Sequence, residues 1–414
     1  MTKQIPQGYK QTKVGVIPES WKVVKLGDIA TIQRGASPRP IADSKWFSET
    51  SKIGWVRISD VSRAKKFLNF TEQYVSDDGV KNSRYIEIGN IIMSICATIG
   101  KPIYTNIPVC IHDGFIVFTN LTSNKFFMYY YLQLNENKWY RYGQPGSQIN
   151  LNTEIVNNET IALPPLKEQE KIADILTTWD NAITKHEQLI EQKRVFKKGI
   201  MQQIFSQKLR FKDDNGNDYP AWSNETLADV SDVRDGTHES PQYVEMGYPF
   251  ITSKNLLENG NIDFINVNFI SETDYNNFNK RSLVEISDIL FGMIGTIGNP
   301  VIVKKTGFGI KNVALVKELQ RLKNQYLIHY LRSYGAMKQF HQQNTGGTQK
   351  FIALGIIRQL TIKLPCIKEQ NQIADLLTNI DDEITKQTEI LEQLKLQKQS
   401  LMQKLLTGQV RVKI

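Results

Sequence analysis

The chain repeats itself. Four short segments recur in the same order at an offset of about 201 residues, and a period this long means a duplicated domain with its linker, since stacked arrays use units of roughly 20–50 residues. Trp21-Lys-Val-Val-Lys-Leu26-Gly-Asp28 is answered by Trp222-Ser-Asn-Glu-Thr-Leu227-Ala-Asp229, and both run on to a glycine, Gly35 and Gly236. Ala97-Thr-Ile-Gly-Lys-Pro102 is answered by Gly295-Thr-Ile-Gly-Asn-Pro300, and Gly146-Ser-Gln148 by Gly347-Thr-Gln349. The longest match sets Leu163-Pro-Pro-Leu-Lys-Glu-Gln-Glu-Lys-Ile-Ala-Asp-Ile-Leu176 against Leu364-Pro-Cys-Ile-Lys-Glu-Gln-Asn-Gln-Ile-Ala-Asp-Leu-Leu377. Whatever one half folds into, the other must fold into as well.

The segments 1–163 and 209–364 are rich in Gly, Asn, Ser and aromatic residues, with short apolar runs between turn signals. Ile86 to Ile95, Phe115 to Phe118, Ile289 to Ile297 and Val313 to Val316 read as strands, and Lys125 to Leu134 and Asn324 to Gln342 as helices. The fold class expected is α+β: two similar mixed α/β domains in tandem, each followed by a long helix, over 164–208 and 365–414.

The helices follow from a seven-residue apolar repeat. Ile172, Leu176, Trp179, Ile183 and Ile190 have counterparts at the same spacing in Ile373, Leu377, Ile380, Ile384 and Leu391, and Leu394, Leu401 and Leu405 extend the second stripe. Such a stripe is a coiled-coil seam. Pro164 or Pro165 and Pro365 suit the helix starts, with Glu168 and Glu369 in the first turns. His186 and Gln387 are polar seam residues of the kind that fix register. About 40 residues make a helix of roughly 60 Å. Neither helix buries its seam alone, so the two are expected to pair antiparallel; packing of each on its own domain or on another protein is the alternative.

The chemistry of enzymes is hard to find. There is no phosphate loop ending in Gly-Lys-Ser/Thr and no Gly-x-Gly-x-x-Gly after a strand. His112-Asp113 is the best acid–base pair, but the repeat puts Lys311-Asn312 in its place. Cys96, Cys110 and Cys366 lack metal-ligand spacing. No catalytic residue, metal ligand or bound cofactor is expected. The polar N-terminus and the absence of a long apolar run point to a cytoplasmic protein with no membrane segment.

The chain carries a formal charge of +9, which hints at a polyanionic partner. Residues 1–163 hold 19 Lys and Arg against 13 Asp and Glu, whereas 209–364 hold 17 against 16. A basic patch is therefore expected on the first domain. Base reading needs donors and acceptors on loops. The loop 34–39, with Arg34, Ser37 and Arg39, takes the place of the loop 234–240, with Arg234, Thr237 and His238; the segment 57–60, with Arg57 and Ser59, takes that of 252–255, with Thr252, Lys254 and Asn255; and 144–148, with Gln144, Ser147 and Gln148, takes that of 345–350, with Thr348, Gln349 and Lys350. The positions correspond while the side chains differ, as two heads reading different sequences require. Each loop taken singly also reads as a solvated turn, and Lys65-Lys66 and Lys304-Lys305 as solvated charge.

Taken together, the Trp-x4-Leu-x-Asp openings, the Thr-Ile-Gly-x-Pro elements and the doubled Leu-Pro-x2-Lys-Glu-Gln-x2-Ile-Ala-Asp motif resemble the specificity subunits of type I restriction-modification systems. That resemblance spans nearly the whole chain. It implies two target recognition domains, each reading one half of a bipartite site in double-stranded DNA, and two helices that set the gap and dock two modification subunits. It also implies that S-adenosylmethionine, ATP and Mg are bound by the modification and restriction subunits, and that this subunit is not itself catalytic.

Overall fold

A computed structural model describes residues 5–142, 151–295, 297–343 and 351–414. The chain divides into two units, 1–186 with 390–414 and 187–389. Each unit therefore joins one globular part to the first half of one long helix and the second half of the other.

The first unit contains two sheets. One runs Thr31–Arg34, Phe115–Thr119, Ile91–Ser94, Pro102–Thr105 and Phe67–Leu68, antiparallel except for its last pair. The other runs Gln73–Tyr74, Gly54–Val56, Val109–Ile111 and Arg84–Ile86. Lys22–Lys25 and Thr160–Leu163 form a separate antiparallel pair. The second unit repeats this plan. One sheet runs Asp232–Asp235, Val313–Lys317, Ile289–Gly292 and Gly298–Ile302, a second runs Tyr243–Val244, Asn268–Ile270, Tyr248–Ile251 and Gly309–Ile310, and Ser223–Thr226 pairs with Thr361–Leu364. Strands such as Ile91–Ser94 and Ile289–Gly292 are buried on both faces, which explains their continuous apolar runs.

The helix Lys125–Leu134 matches the expected bounds. Two expected strands are shorter than their apolar runs. Ile86 to Ile95 is broken between Ile86 and Ile91, where Gly89 takes φ +81. Ile289 to Ile297 stops at Gly292, ahead of Gly295 at φ +73. Both glycines turn the chain where an L side chain is strained. The expected helix Asn324 to Gln342 is two helices, Asn324–Leu331 and Tyr334–Gln343, interrupted at Arg332 and Ser333.

The long helices are continuous over Leu166–Phe205 and Ile367–Leu406. Their pairing is legible within each unit. In the first, Ile172 and Leu176 share a core cluster with Met402 and Leu405, while further along the first helix Asp180 meets Lys398 at 2.5 Å. Advancing along one helix means retreating along the other, so the segments are antiparallel. In the second unit Met201 and Ile204 cluster with Ile373 and Leu377, and Lys197 meets Asp381 at 2.5 Å. The seam residues Ile172, Leu176, Ile190, Ile373, Leu377 and Leu391 are buried, and Trp179, Ile183, Ile380, Ile384 and Leu394 are half-buried. At their ends the seams merge with the globular cores: Leu377 packs in one cluster with Trp222, Tyr326 and Phe205. The alternative reading thus holds in part, because the helix starts also pack on their own domains.

Candidate nucleic-acid interface

The repeated motifs turn out to be a frame. Trp21 is fully buried, and its indole N–H donates to Glu168 at 3.0 Å. Arg411 grips the same carboxylate with two hydrogen bonds, 2.6 and 2.9 Å. The second unit repeats the arrangement with Trp222 donating to Glu369 at 2.7 Å and Arg210 reaching both of its oxygens at 3.1 and 2.7 Å. Both glutamates are wholly buried. Burying a carboxylate is tolerable only with such partners. The first-turn position suits the helix dipole, but the ion pair and the indole account for the residue.

The neighbouring glutamine links helix and domain in both units. Gln169 accepts the Asn124 N–H and donates to the Pro164 carbonyl, both at 2.8 Å. Gln370 accepts the Lys323 N–H at 2.8 Å and donates to the Arg321 and Pro365 carbonyls at 2.9 Å. Asp28 and Asp229 cap one-turn helices by accepting the N–H groups of Lys25 and Thr226. Every position of the family-like motifs that these contacts reach is structural.

A second doubled cluster binds the domains to the seam. In the first unit the Tyr130 hydroxyl donates to Asp180 at 2.5 Å and meets the Thr177 hydroxyl at 3.2 Å, with Lys398 and Lys66 on the same aspartate. Lys66 is therefore no solvated charge: it is largely buried, 4.5 Å above the Tyr130 ring, and burial pulls its ammonium below the usual lysine range against the opposing Asp180. In the second unit His329 stands in place of Tyr130. Its Nε2 meets Thr378 at 3.1 Å, and Asp381 is shared by Lys197 and Arg332. Burial, with Lys197 and Arg332 nearby, pushes the His329 pKa down to about 3.

Sequence reading did not find Arg210, Arg411, Lys197, Lys398, Asp180 or Asp381. A signal was present. Leu209-Arg-Phe-Lys212 and Val410-Arg-Val-Lys413 recur at the same offset as the other matches, but two basic positions past the end of a long helix look like surface charge.

The loops carry what the frame does not use. Gly35 and Gly236 come hard against protein backbone: a Cβ would lie 2.0 Å from the His112 carbonyl oxygen or 2.3 Å from that of Ile310. Each glycine N–H donates across the sheet, Gly35 to Phe115 and Gly236 to Val313, at 2.9 Å. These two glycines seat the loops against the domain. Arg34 is exposed and donates from Nε to the Asp113 carbonyl at 2.7 Å; the Ser37 hydroxyl donates to the Asp113 carboxylate at 3.0 Å; Arg39 is exposed. Arg57 is exposed; its guanidinium donates to the neutral Gln73 side chain and its backbone N–H to the Asp60 carboxylate, and Ser59 is half-buried beside it.

In the second unit the corresponding loops are more committed. Arg234 holds Asp232 through two nitrogens, at 2.9 and 2.6 Å. His238 is exposed, its ring held between the Asp235 carboxylate at 2.9 Å and the Asn312 side chain at 2.7 Å. Thr237 is half-buried and accepts the Glu239 N–H. Lys254 is exposed. Asn255 is a correction: it is buried, caps Thr252 through its Oδ1 and donates to the Asp263 and Asn266 carbonyls, so its amide is not free to meet a base. Gln144, Ser147, Gln148, Thr348, Gln349 and Lys350 lie outside the described residues. The His112 Nδ1 accepts the Gly114 N–H at 2.9 Å, Asp113 is 3.7 Å away, and burial lowers the His112 pKa.

One frame, built twice from the same contacts, thus presents two differently furnished sets of loops. The family described as the type I restriction modification DNA specificity domain matches residues 18–194 and again 221–396. The chain belongs to this family of type I specificity subunits. The two matches begin just before Trp21 and Trp222 and end within the long helices. Among curated relatives, the type I restriction enzyme MjaVIII specificity subunit of Methanocaldococcus jannaschii is 26% identical over 96% of this chain and 94% of its own length. A putative type I restriction enzyme specificity subunit, MjaX, from the same organism is 28% identical over 98% and 97%. Among solved structures, the S subunit of the type I restriction-modification system from M. genitalium aligns over 93% of this chain and 96% of its own, with TM-score 0.54 and 13% identity. A chain from a type I restriction-modification assembly aligns over 95% and 99%, with TM-score 0.63 and 15% identity. These structural likenesses give the same fold. Among the described residues of this specificity subunit, no helix is long and apolar enough to cross a membrane.

Proposed function

We propose that this specificity subunit reads a bipartite site in double-stranded DNA, each globular part contacting one half, and that it performs no chemistry itself. The observation that carries the reading is the contrast between a tryptophan–glutamate–arginine clamp built in both units and loops that differ where the repeat sets them in equivalent places. Arg34, Ser37, Arg39, Arg57 and Ser59 contact one half-site, and Thr237, His238, Thr252 and Lys254 the other. The long helices set the gap between the halves and dock two modification subunits. Those partners carry S-adenosylmethionine and transfer its methyl group to adenine, and restriction subunits using ATP and Mg join the same assembly in the cytoplasm.

The reading is tested by reconstitution. Purified modification subunit should methylate adenine in duplex DNA only when this chain is present, and only at sites with two short defined halves. Methylation that proceeds without the chain, or with no preference for such sites, contradicts the proposal. A scaffold with no DNA role predicts instead that the chain gives no salt-sensitive shift of random duplex.

A further inference from the structure

Each unit sets two arginines in contact beside its loops, at positions the repeat does not equate, and in opposite electrostatic circumstances. In the first unit Arg84 donates from Nε to the Arg34 carbonyl at 3.1 Å and from Nη1 to Gln33 at 3.4 Å. Neither Arg34 nor Arg84 forms an ion pair with a carboxylate among the described residues. Asp113 lies close by: it accepts from Ser37, and that hydrogen bond, helped by the charge of Arg34, holds its carboxyl below the usual range. Arg57 belongs to the same edge, since Val56 and Arg84 flank Ile111 in adjacent strands. In the second unit Arg234 contacts the Arg281 carbonyl at 3.2 Å. There Asp232 neutralises Arg234, whose Nε and Nη2 both donate to one carboxylate oxygen, and Asp235 neutralises Arg281. Lys254 and Lys311 complete that edge, with Lys311 donating to the Ser240 hydroxyl at 2.6 Å.

We propose that Arg34 and Arg84 form a phosphate clamp that gives the first unit the larger share of the salt-sensitive binding, whereas Arg234 and Arg281 serve the fold of the second. This rests on the DNA-reading proposal and deepens it. A guanidinium free of carboxylate offers paired N–H donors that match a phosphate's oxygens, and each phosphate it neutralises releases counterions. A guanidinium already held by aspartate must first give up that partner. The difference in charge between the two domains, an excess of six against an excess of one, includes Asp232 and Asp235 at this edge.

The test is binding of the full chain, with and without its modification subunit, to a 30-base-pair (about three turns) random duplex across a range of KCl concentrations. R34A/R84A should make the slope of log affinity against log salt shallower by about two, each phosphate contact contributing about 0.9. R34K/R84K keeps both charges and should keep the slope, which separates lost charge from lost folding. R234A/R281A should leave the slope unchanged. An unchanged slope in R34A/R84A, with the wild type binding normally, overturns the clamp while leaving the reading of DNA intact, as does an equal loss in R234A/R281A. Absence of any salt-sensitive binding by the wild type overturns both.

Discussion

Replacing Glu369 with alanine is expected to remove roughly 3 kcal/mol of stability from the second unit, the lower end of the range for breaking a buried pair from one side. The substitution strands two donors at once, the Trp222 indole and the Arg210 guanidinium, where the carboxylate is wholly buried. A quarter of the Arg210 side chain is exposed, so part of its charge can be resolvated and the cost stays below the upper end. Glu369→Gln keeps an acceptor for the indole and leaves the guanidinium uncompensated, and should fall between. Urea unfolding of the full chain, followed by tryptophan fluorescence, measures both. A loss under about 1 kcal/mol for the alanine variant would mean that the clamp is a surface-grade pair and that another contact holds the domain to its helix.

The second large effect is a dependence on pH that the duplication makes easy to isolate. His329 has a folded pKa of about 3, against about 6.5 in an unfolded chain. Protonation is thus taken up by the unfolded state first. The stability contributed by neutral His329 is fully present above about pH 6.5 and is lost as pH falls from there through about 3, at up to about 1.4 kcal/mol per unit. The groups facing it are Lys197, Arg332, Thr378 and Asp381; the two cations reinforce the shift, and Asp381 opposes it. His329→Tyr installs the residue that the first unit uses at Tyr130. It should make the second unit lose about 1.5 kcal/mol less than wild type between pH 6.5 and 5, above the range where most carboxylates titrate. Identical acid profiles for the two proteins would show that His329 takes up its proton without unfolding.

Much of the fold was legible because duplication doubles every signal. A lone tryptophan such as Trp21 says little, but the same residue at Trp222 with Leu and Asp at equal spacing says that a local structure is repeated, and the seven-residue stripe gave the pairing of the helices. The frame contacts were illegible because they join residues far apart in sequence. Nothing near Glu168 announces that Arg411 will reach it, and nothing near Tyr130 announces Asp180. For the loops, sequence gave position without engagement: Arg34 and Arg234 look alike in composition, yet Asp232 occupies only the second. Asn255 misled for a related reason, since a side chain suited to reading adenine is equally suited to capping a turn.

The most direct test of the central claim, that two units on one frame read two halves of a site, is a map of methylated adenines before and after residues 21–163 are exchanged for the matching domain of another specificity subunit. The account predicts a bipartite motif in which one half changes while the other half and the gap stay as they were. A change in both halves, or a single uninterrupted motif in either map, would contradict it.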